Sequence, residues 1–237
     1  MSRSQPSVGS SPATRFFEWK AEAGLLQYYD KTTQLNVTVK LPFSFMVLDE
    51  VSQVGGGTKV NGKYEGYWSN AVKNLDTQII TVKSKQGIVA SGLYADLKNR
   101  KGLHYVKGLY IAYFDDDKNL QIGYLKFKGS SLGAWFEFTK THKNIYQGAF
   151  AIKSASDVIN GDNGDYYTPS FVHKADVSPE SEAKAIELDG ELQEYLKAYF
   201  ASKGVDEPET HAMAATANGS PTETVETTEE ELDEIPF

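Results

Sequence analysis

The sequence predicts a mainly β domain that carries one short internal helix and a C-terminal helix. Three observations lead there. Between Arg15 and His173, short aromatic and aliphatic runs, several of them alternating, are cut at close intervals by clusters of turn formers. Past Gly129 the apolar spacing changes from every second residue to that of a helix. After Ser178-Pro179 a longer stripe at helical spacing begins, and Gly204 closes it.

Taken in chain order, residues 1–14 are rich in Ser, Pro and Gly with little to bury, and are expected to form a disordered arm. Arg15 to Lys20 and Leu25 to Tyr29, parted by Glu22-Ala23-Gly24, read as a hairpin. Asn36 to Leu41 alternates, and Phe43 to Leu48 resumes after Pro42, which calls for a bulge or an edge. Gly55-Gly56-Gly57 and Asn61-Gly62 read as a flexible loop before Tyr67-Trp68. Ile79 to Lys83, Ile88 to Tyr94, Leu103 to Phe114 and Leu120 to Lys128 follow as strands of a meander. Their turns are Ser84 to Gly87, Asn99 to Gly102 and Asp115 to Asn119, and Gly108 is a bulge candidate.

In Ser130 to Lys140, Leu132, Trp135, Phe136 and Thr139 fall at i, i+3, i+4 and i+7 behind a Ser N-cap, which gives the short helix. Ala149 to Lys153 and Tyr166 to His173 are further strands, separated by a loop over Asn160 to Asp165. Ser178 as N-cap, Pro179 at the first helical position and acids in the first turn open a helix over 179–203. Its stripe of Ile186, Leu192, Tyr195, Leu196, Tyr199 and Phe200 should dock on the body or on a second subunit. The domain is thus placed at 15–204, and 205–237, rich in Thr, Glu, Ala and Pro, is expected to be a disordered tail.

Composition narrows the function. The 237 residues include 14 Tyr, 12 Phe and 3 Trp, enough for a core, and no Cys, which removes disulfides, thiolate metal sites and a cysteine nucleophile. No apolar run is long enough to span a membrane, and the first residues lack a signal-peptide core, so a soluble, cytoplasmic protein is expected. The net charge of -8 conceals two opposite regions. Through Pro179 there are 21 basic to 16 acidic residues, and beyond it 3 to 16. From Lys73 to Lys153 the balance is 13 basic to 6 acidic with aromatics interleaved, whereas 205–237 holds ten acids and no Lys or Arg. A basic aromatic body with an acidic tail points to a polyanion as ligand.

No catalytic or metal constellation emerges, so a non-enzymatic protein without cofactor is expected. His104, His142, His173 and His211 show no paired ligand spacing. Asp115-Asp116-Asp117 lacks the alternating ligands and bidentate Glu of a calcium loop, and Gly55-Gly56-Gly57-Thr58-Lys59 lacks the spacing of a phosphate-cradling loop. Alternation along Ile122 to Lys128 puts Gly123, Leu125 and Phe127 on one face and Tyr124, Lys126 and Lys128 on the other. A ring beside two ammoniums suits single-stranded nucleic acid, since every base has a stackable face and every linkage a charge. The same reading takes in Trp68, Lys73, Tyr94, Arg100, Lys101, Tyr105, Lys107 and Tyr113. Two rivals stand beside it: a β-sandwich virion or carbohydrate-binding protein whose aromatics stack sugars, and a nuclease using Asp115 to Asp117 and Asp162 to Asp165 on magnesium.

The last residues carry a specific likeness. Glu229-Glu230-Glu231-Leu232-Asp233-Glu234-Ile235-Pro236-Phe237 resembles the acidic tip of bacterial single-stranded DNA-binding proteins, usually Asp-Asp-Asp-Ile-Pro-Phe, departing from it at Leu232 and Glu234. The resemblance assigns Asp233, Glu234, Ile235, Pro236 and Phe237 to a tip that recruits replication and recombination enzymes. The body is instead similar to phage-encoded single-stranded DNA-binding proteins of Bacteroidetes and crAss-like phages. The likeness lies in Arg15-Phe-Phe-Glu-Trp-Lys, Leu41-Pro-Phe-Ser-Phe-Met-Val-Leu-Asp-Glu50, Gly129-Ser-Ser-Leu-Gly-Ala-Trp-Phe-Glu-Phe and Tyr166-Tyr-Thr-Pro-Ser-Phe171. It implies an OB-fold, a five-stranded Greek-key barrel with a helix between its third and fourth strands, here extended by the hairpin and the C-terminal helix. It also implies sequence-independent binding of ssDNA during replication or recombination; ssRNA stands beside it as a weaker candidate ligand, and the sequence leaves the preference between the two open.

Overall fold

A computed structural model describes residues 9–60, 62–162, 164–174 and 176–202. The expected arm falls largely outside these residues, and the acidic tail with its tip Asp233 to Phe237 lies wholly outside them. The described chain is mainly β. In order it forms β1 (Arg15–Lys20), β2 (Leu25–Asp30), β3 (Leu35–Thr38), β4 (Phe43–Val60), β5 (Lys63–Ser69), β6 (Ile80–Ser84), β7 (Gly87–Gly92) and helix α1 (Tyr94–Leu97). Then come β8 (Leu103–Phe114), β9 (Leu120–Lys128), α2 (Gly129–Thr141), β10 (Ala149–Ala155), β11 (Ile159–Gly161), β12 (Gly164–Tyr166), β13 (Pro169–Lys174) and α3 (Pro179–Ala201).

Eleven strands form one mixed sheet in the order β3-β2-β1-β9-β8-β4-β5-β6-β7, with β10 pairing β4 and β13 pairing β10. Every neighbour pair is antiparallel except β1 beside β9, which runs parallel from Arg15 opposite Gly123 to Glu18 opposite Lys126. The 18-residue β4 organises the sheet: its first residues pair β10, its middle pairs β8 and its end pairs both β8 and β5. Between β1 and the chain entering β13, Tyr167 forms the bridge. Its backbone N–H donates to Ala21 O at 2.8 Å, and its carbonyl accepts from Trp19 Nε1 at 2.9 Å.

Three apolar cores follow. The sheet curls around the first, where Phe17, Phe45, Leu109, Ile111, Leu125, Phe127, Phe150 and Ile152 meet Leu132 and Trp135 of α2. The second lies on the opposite face of β4, β8 and β9, where Ala185, Leu188, Leu192 and Leu196 of α3 cover Met46, Val51, Tyr110, Ala112, Ile122 and Tyr124. Each of those leucines is worth roughly 1.5–3 kcal/mol of transfer from water. The third is satellite: Val54, Val72, Ile80, Val82, Ala90 and Leu103 packed on Leu97 of α1.

Several expectations need correction. The Gly55-Gly56-Gly57 loop is strand, because β8 on one side and β5 on the other supply ladder partners through it. Gly108 holds no bulge; the register runs through it, and a glycine is needed there because a β-carbon would run into the Tyr124 ring. The β4–β8 bulge falls instead between Val47 and Asp49. Part of the Asn160 to Asp165 loop is the small β11–β12 ladder. The α2 stripe is rotated: Phe136 is exposed and Phe138 packs on the core. Ser131 rather than Ser130 ties the α2 start, its hydroxyl donating to Lys128 O at 2.9 Å. In α3, Ser178 does cap, accepting from Ser181 N at 3.1 Å, but Ile186 points to solvent at 64% exposure while Ala185 and Leu188 are buried.

Candidate nucleic-acid interface

The predicted binding residues divide into four groups. Tyr113 and Tyr124 are core, 1% and 3% exposed, on opposite faces of the sheet. Tyr124 lies beneath α3, its ring 4.8 Å from that of Tyr110 and its hydroxyl donating to Gln53 Oε1 at 2.7 Å. Neither can lie against a base. The predicted alternation of β9 is present, but its second face is covered by α3 as far as Tyr124.

Lys73, Lys107 and Lys128 form the second group, each tied to a carboxylate: Asp49, Glu50 and Glu18 respectively. Burial pulls the Glu18 carboxyl up, yet Lys128 and Lys20 together outweigh it and hold the group below its ordinary range. Lys126 is held by a ring instead, its ammonium 5.7 Å from the Tyr124 ring centroid.

The third group is an aromatic row where α1 and α2 meet β8. The Tyr94 ring is 5.8 Å from Tyr105, and Tyr105 stacks on Phe136 at 6.3 Å with the planes 12° apart. Burial, reinforced by Tyr105, raises the Tyr94 phenol above its usual pKa, so it is a neutral hydroxyl at physiological pH. Just after α1, Arg100 donates to Val89 O at 3.0 Å, and with Lys101, Tyr67, Val89 and Leu103 lines a shallow depression of about 260 Å³.

Trp68 is the last of the predicted residues, and its surroundings were missed by sequence reasoning. Residues directly opposite in antiparallel strands share a face, so register places Lys83, Trp68, Gly55 and His104 in one row across β6, β5, β4 and β8. Two residues along, Gly66 faces Gly57, and two further, Tyr64 faces Lys59. This face is opposite the one Val54, Tyr67 and Leu103 bury on α1. Tyr64 is 64% exposed, Lys59 and His104 are exposed, and Trp68 is half-buried. The Tyr64 ring lies over Gly57, where a β-carbon would overlap it. From Gly55 to Gly102 the chain has eight basic residues to three acidic ones.

The outcome is a glycine-floored shelf bearing two aromatic rings with cations around it. The alternation Tyr64-Glu65-Gly66-Tyr67-Trp68 could have signalled it, had the neighbouring glycines been read as strand. The Asp115 to Asp117 segment is a turn closed on itself. Asp115 Oδ1 accepts from Asp117 N at 3.0 Å and Asn119 N at 2.8 Å, and Asp116 pairs Arg15. Among the described residues no group of three or more His, Asp or Glu is placed to hold a metal ion, and no helix is long and apolar enough to cross a membrane. Compared with protein-family models, curated proteins and solved structures, the chain matches none.

Proposed function

We propose that the chain binds single-stranded DNA without sequence preference and shields it during replication or recombination, as a non-enzymatic, cytoplasmic protein. The observation that carries this reading is the outer face of the β4–β5 hairpin, where Tyr64 and Trp68 stand on a glycine floor in a basic stretch of the fold. Rings of this kind stack any base, and the cations around them displace the counterions of the phosphates. RNA offers the same faces and charges and is expected to bind more weakly.

The chain order supports an OB-like ancestry for the body: β4, β8 and β9, then α2, then β10 and β13, follow the succession of three strands, helix and two strands. Closure into a barrel would bring β13 to β9, a place where β1 now runs parallel. In the same reading the acidic tip, Asp233 to Phe237, recruits enzymes that act on the coated strand.

Titration of the full chain with oligo-dT, followed by intrinsic tryptophan fluorescence, tests the proposal. Quenching by oligo-dT and none by a panel of glycans is expected. Quenching by glycans alone would favour the sugar-stacking alternative.

A further inference from the structure

Of the three glycines on the outer face of the shelf, the fold dictates one. Gly57 must lack a side chain because the Tyr64 ring and the Glu65 carbonyl occupy that space. At Gly66 a β-carbon would meet nothing closer than Tyr64 Cε1 at 4.0 Å, and at Gly55 nothing closer than Val106 Cγ2 at 3.4 Å and Tyr67 O at 3.5 Å. These are ordinary contacts. Neither residue has the left-handed backbone that calls for glycine. A glycine inside a strand weakens it, through chain entropy and lost packing, and marks places where a ligand or another backbone comes close. Among the described residues, chain neighbours apart, no other atom lies within 4 Å of a β-carbon at Gly66.

We infer that Gly66 and Gly55 keep a floor clear between Tyr64 and Trp68, and that the ligand crossing it is an unstacked, unpaired strand. The inference rests on the single-strand reading and specifies its geometry. Tyr64 and Trp68 are four residues apart on one strand face, hence about 13 Å at the ~3.3 Å rise of a strand. A stacked strand at ~3.4 Å per base keeps its faces against one another. To give one base to Tyr64 and another to Trp68, the strand must open its stack, and the nucleotides between must sink onto the backbone where side chains are missing. Lys59 beside Tyr64, and Lys83 and His104 in the Trp68 row, put cations or hydrogen-bond donors at both ends for the phosphates.

A graded series, Gly66→Ala and Gly66→Val, in the full chain tests this with oligo-dT affinity and thermal midpoint read together. The expected result is an unchanged or higher midpoint, with affinity falling as the side chain grows, to about tenfold for valine, comparable to the loss of a stacked base. Tyr64→Ala, at an exposed ring, should reduce affinity similarly without unfolding the protein. If wild type binds oligo-dT while both Gly66 variants and Tyr64→Ala bind as well as wild type, the floor is not the binding surface, although the single-strand reading stands. A falling midpoint in both Gly66 variants would make Gly66 structural and overturn the inference. Wild type that fails to bind oligo-dT would remove the single-strand reading itself.

Discussion

Trp135→Ala is expected to cost about 3–5 kcal/mol of folding stability. The ring is 1% exposed and makes the contacts that join five elements. It stacks on Phe127 of β9 at 5.3 Å, meets Phe171 of β13 edge-on at 5.2 Å and Phe150 of β10 at 5.8 Å, and lies 6.3 Å from Phe45 of β4. Alanine there forfeits the transfer free energy of the indole, and it leaves a cavity walled by other rings that cannot all collapse inward. The adjacent Phe136→Ala removes a ring that is 41% exposed, and should cost under about 1 kcal/mol. Urea denaturation of both variants measures the contrast. Equal losses would mean that α2 docks by a different face.

Tyr124→Ala should cost about 3 kcal/mol or more while leaving the oligo-dT affinity of the folded protein unchanged. Beneath α3 the ring packs on Tyr110 and lies 5.8 Å from Phe16, and Gly108 has no side chain to fill the space it would vacate. Its removal also strips Gln53 Oε1 of the hydroxyl that donates to it. The same substitution at a base-stacking tyrosine would do the reverse, sparing stability and costing about 1–3 kcal/mol of affinity. Denaturation and oligo-dT titration on the one variant therefore separate a core tyrosine from a binding one. Unchanged stability with lost affinity would return Tyr124 to the interface.

These two residues show what sequence periodicity conveys. Alternation along β9 correctly sorts Leu125 and Phe127 from Tyr124 and Lys126, because side chains leave a strand on alternate faces whatever surrounds it. It does not say which face another element will cover. From Leu192 on the α3 stripe was legible, with Ser178 and Pro179 marking the start of the helix, but its destination on β4 and β9 is a contact between residues far apart in the chain. Strands bounded by strong turn formers were placed to the residue: β8 and β9 begin and end where Gly102, Asp115 to Asn119 and Gly129 require.

The glycine run was misread for the opposite reason. Local propensity opposes strand at Gly55 to Gly57, and two flanking ladders override it. That error hid the shelf, since Tyr64 gains meaning only once Gly57 and Gly66 are known to lie beside it on one face. The parallel entry of β1 along β9 has no local signature either. It joins residues more than a hundred positions apart, and it gives the sheet a mixed character that a Greek-key expectation does not contain.

A basic, ring-bearing strand surface is proposed to hold unpaired nucleic acid. The measurement that addresses it most directly is a titration of the full chain with an oligo-dT strand, a duplex of equal length and the matching RNA, each at low and high salt. Affinity is expected to fall in the order ssDNA, then ssRNA, then duplex. All three affinities should fall steeply as salt rises, and a preference for ssDNA over duplex should persist at high salt, because stacking on Tyr64 and Trp68 does not depend on counterion release. Equal affinity for strand and duplex at both salts, or no binding to any of them, would contradict the proposal.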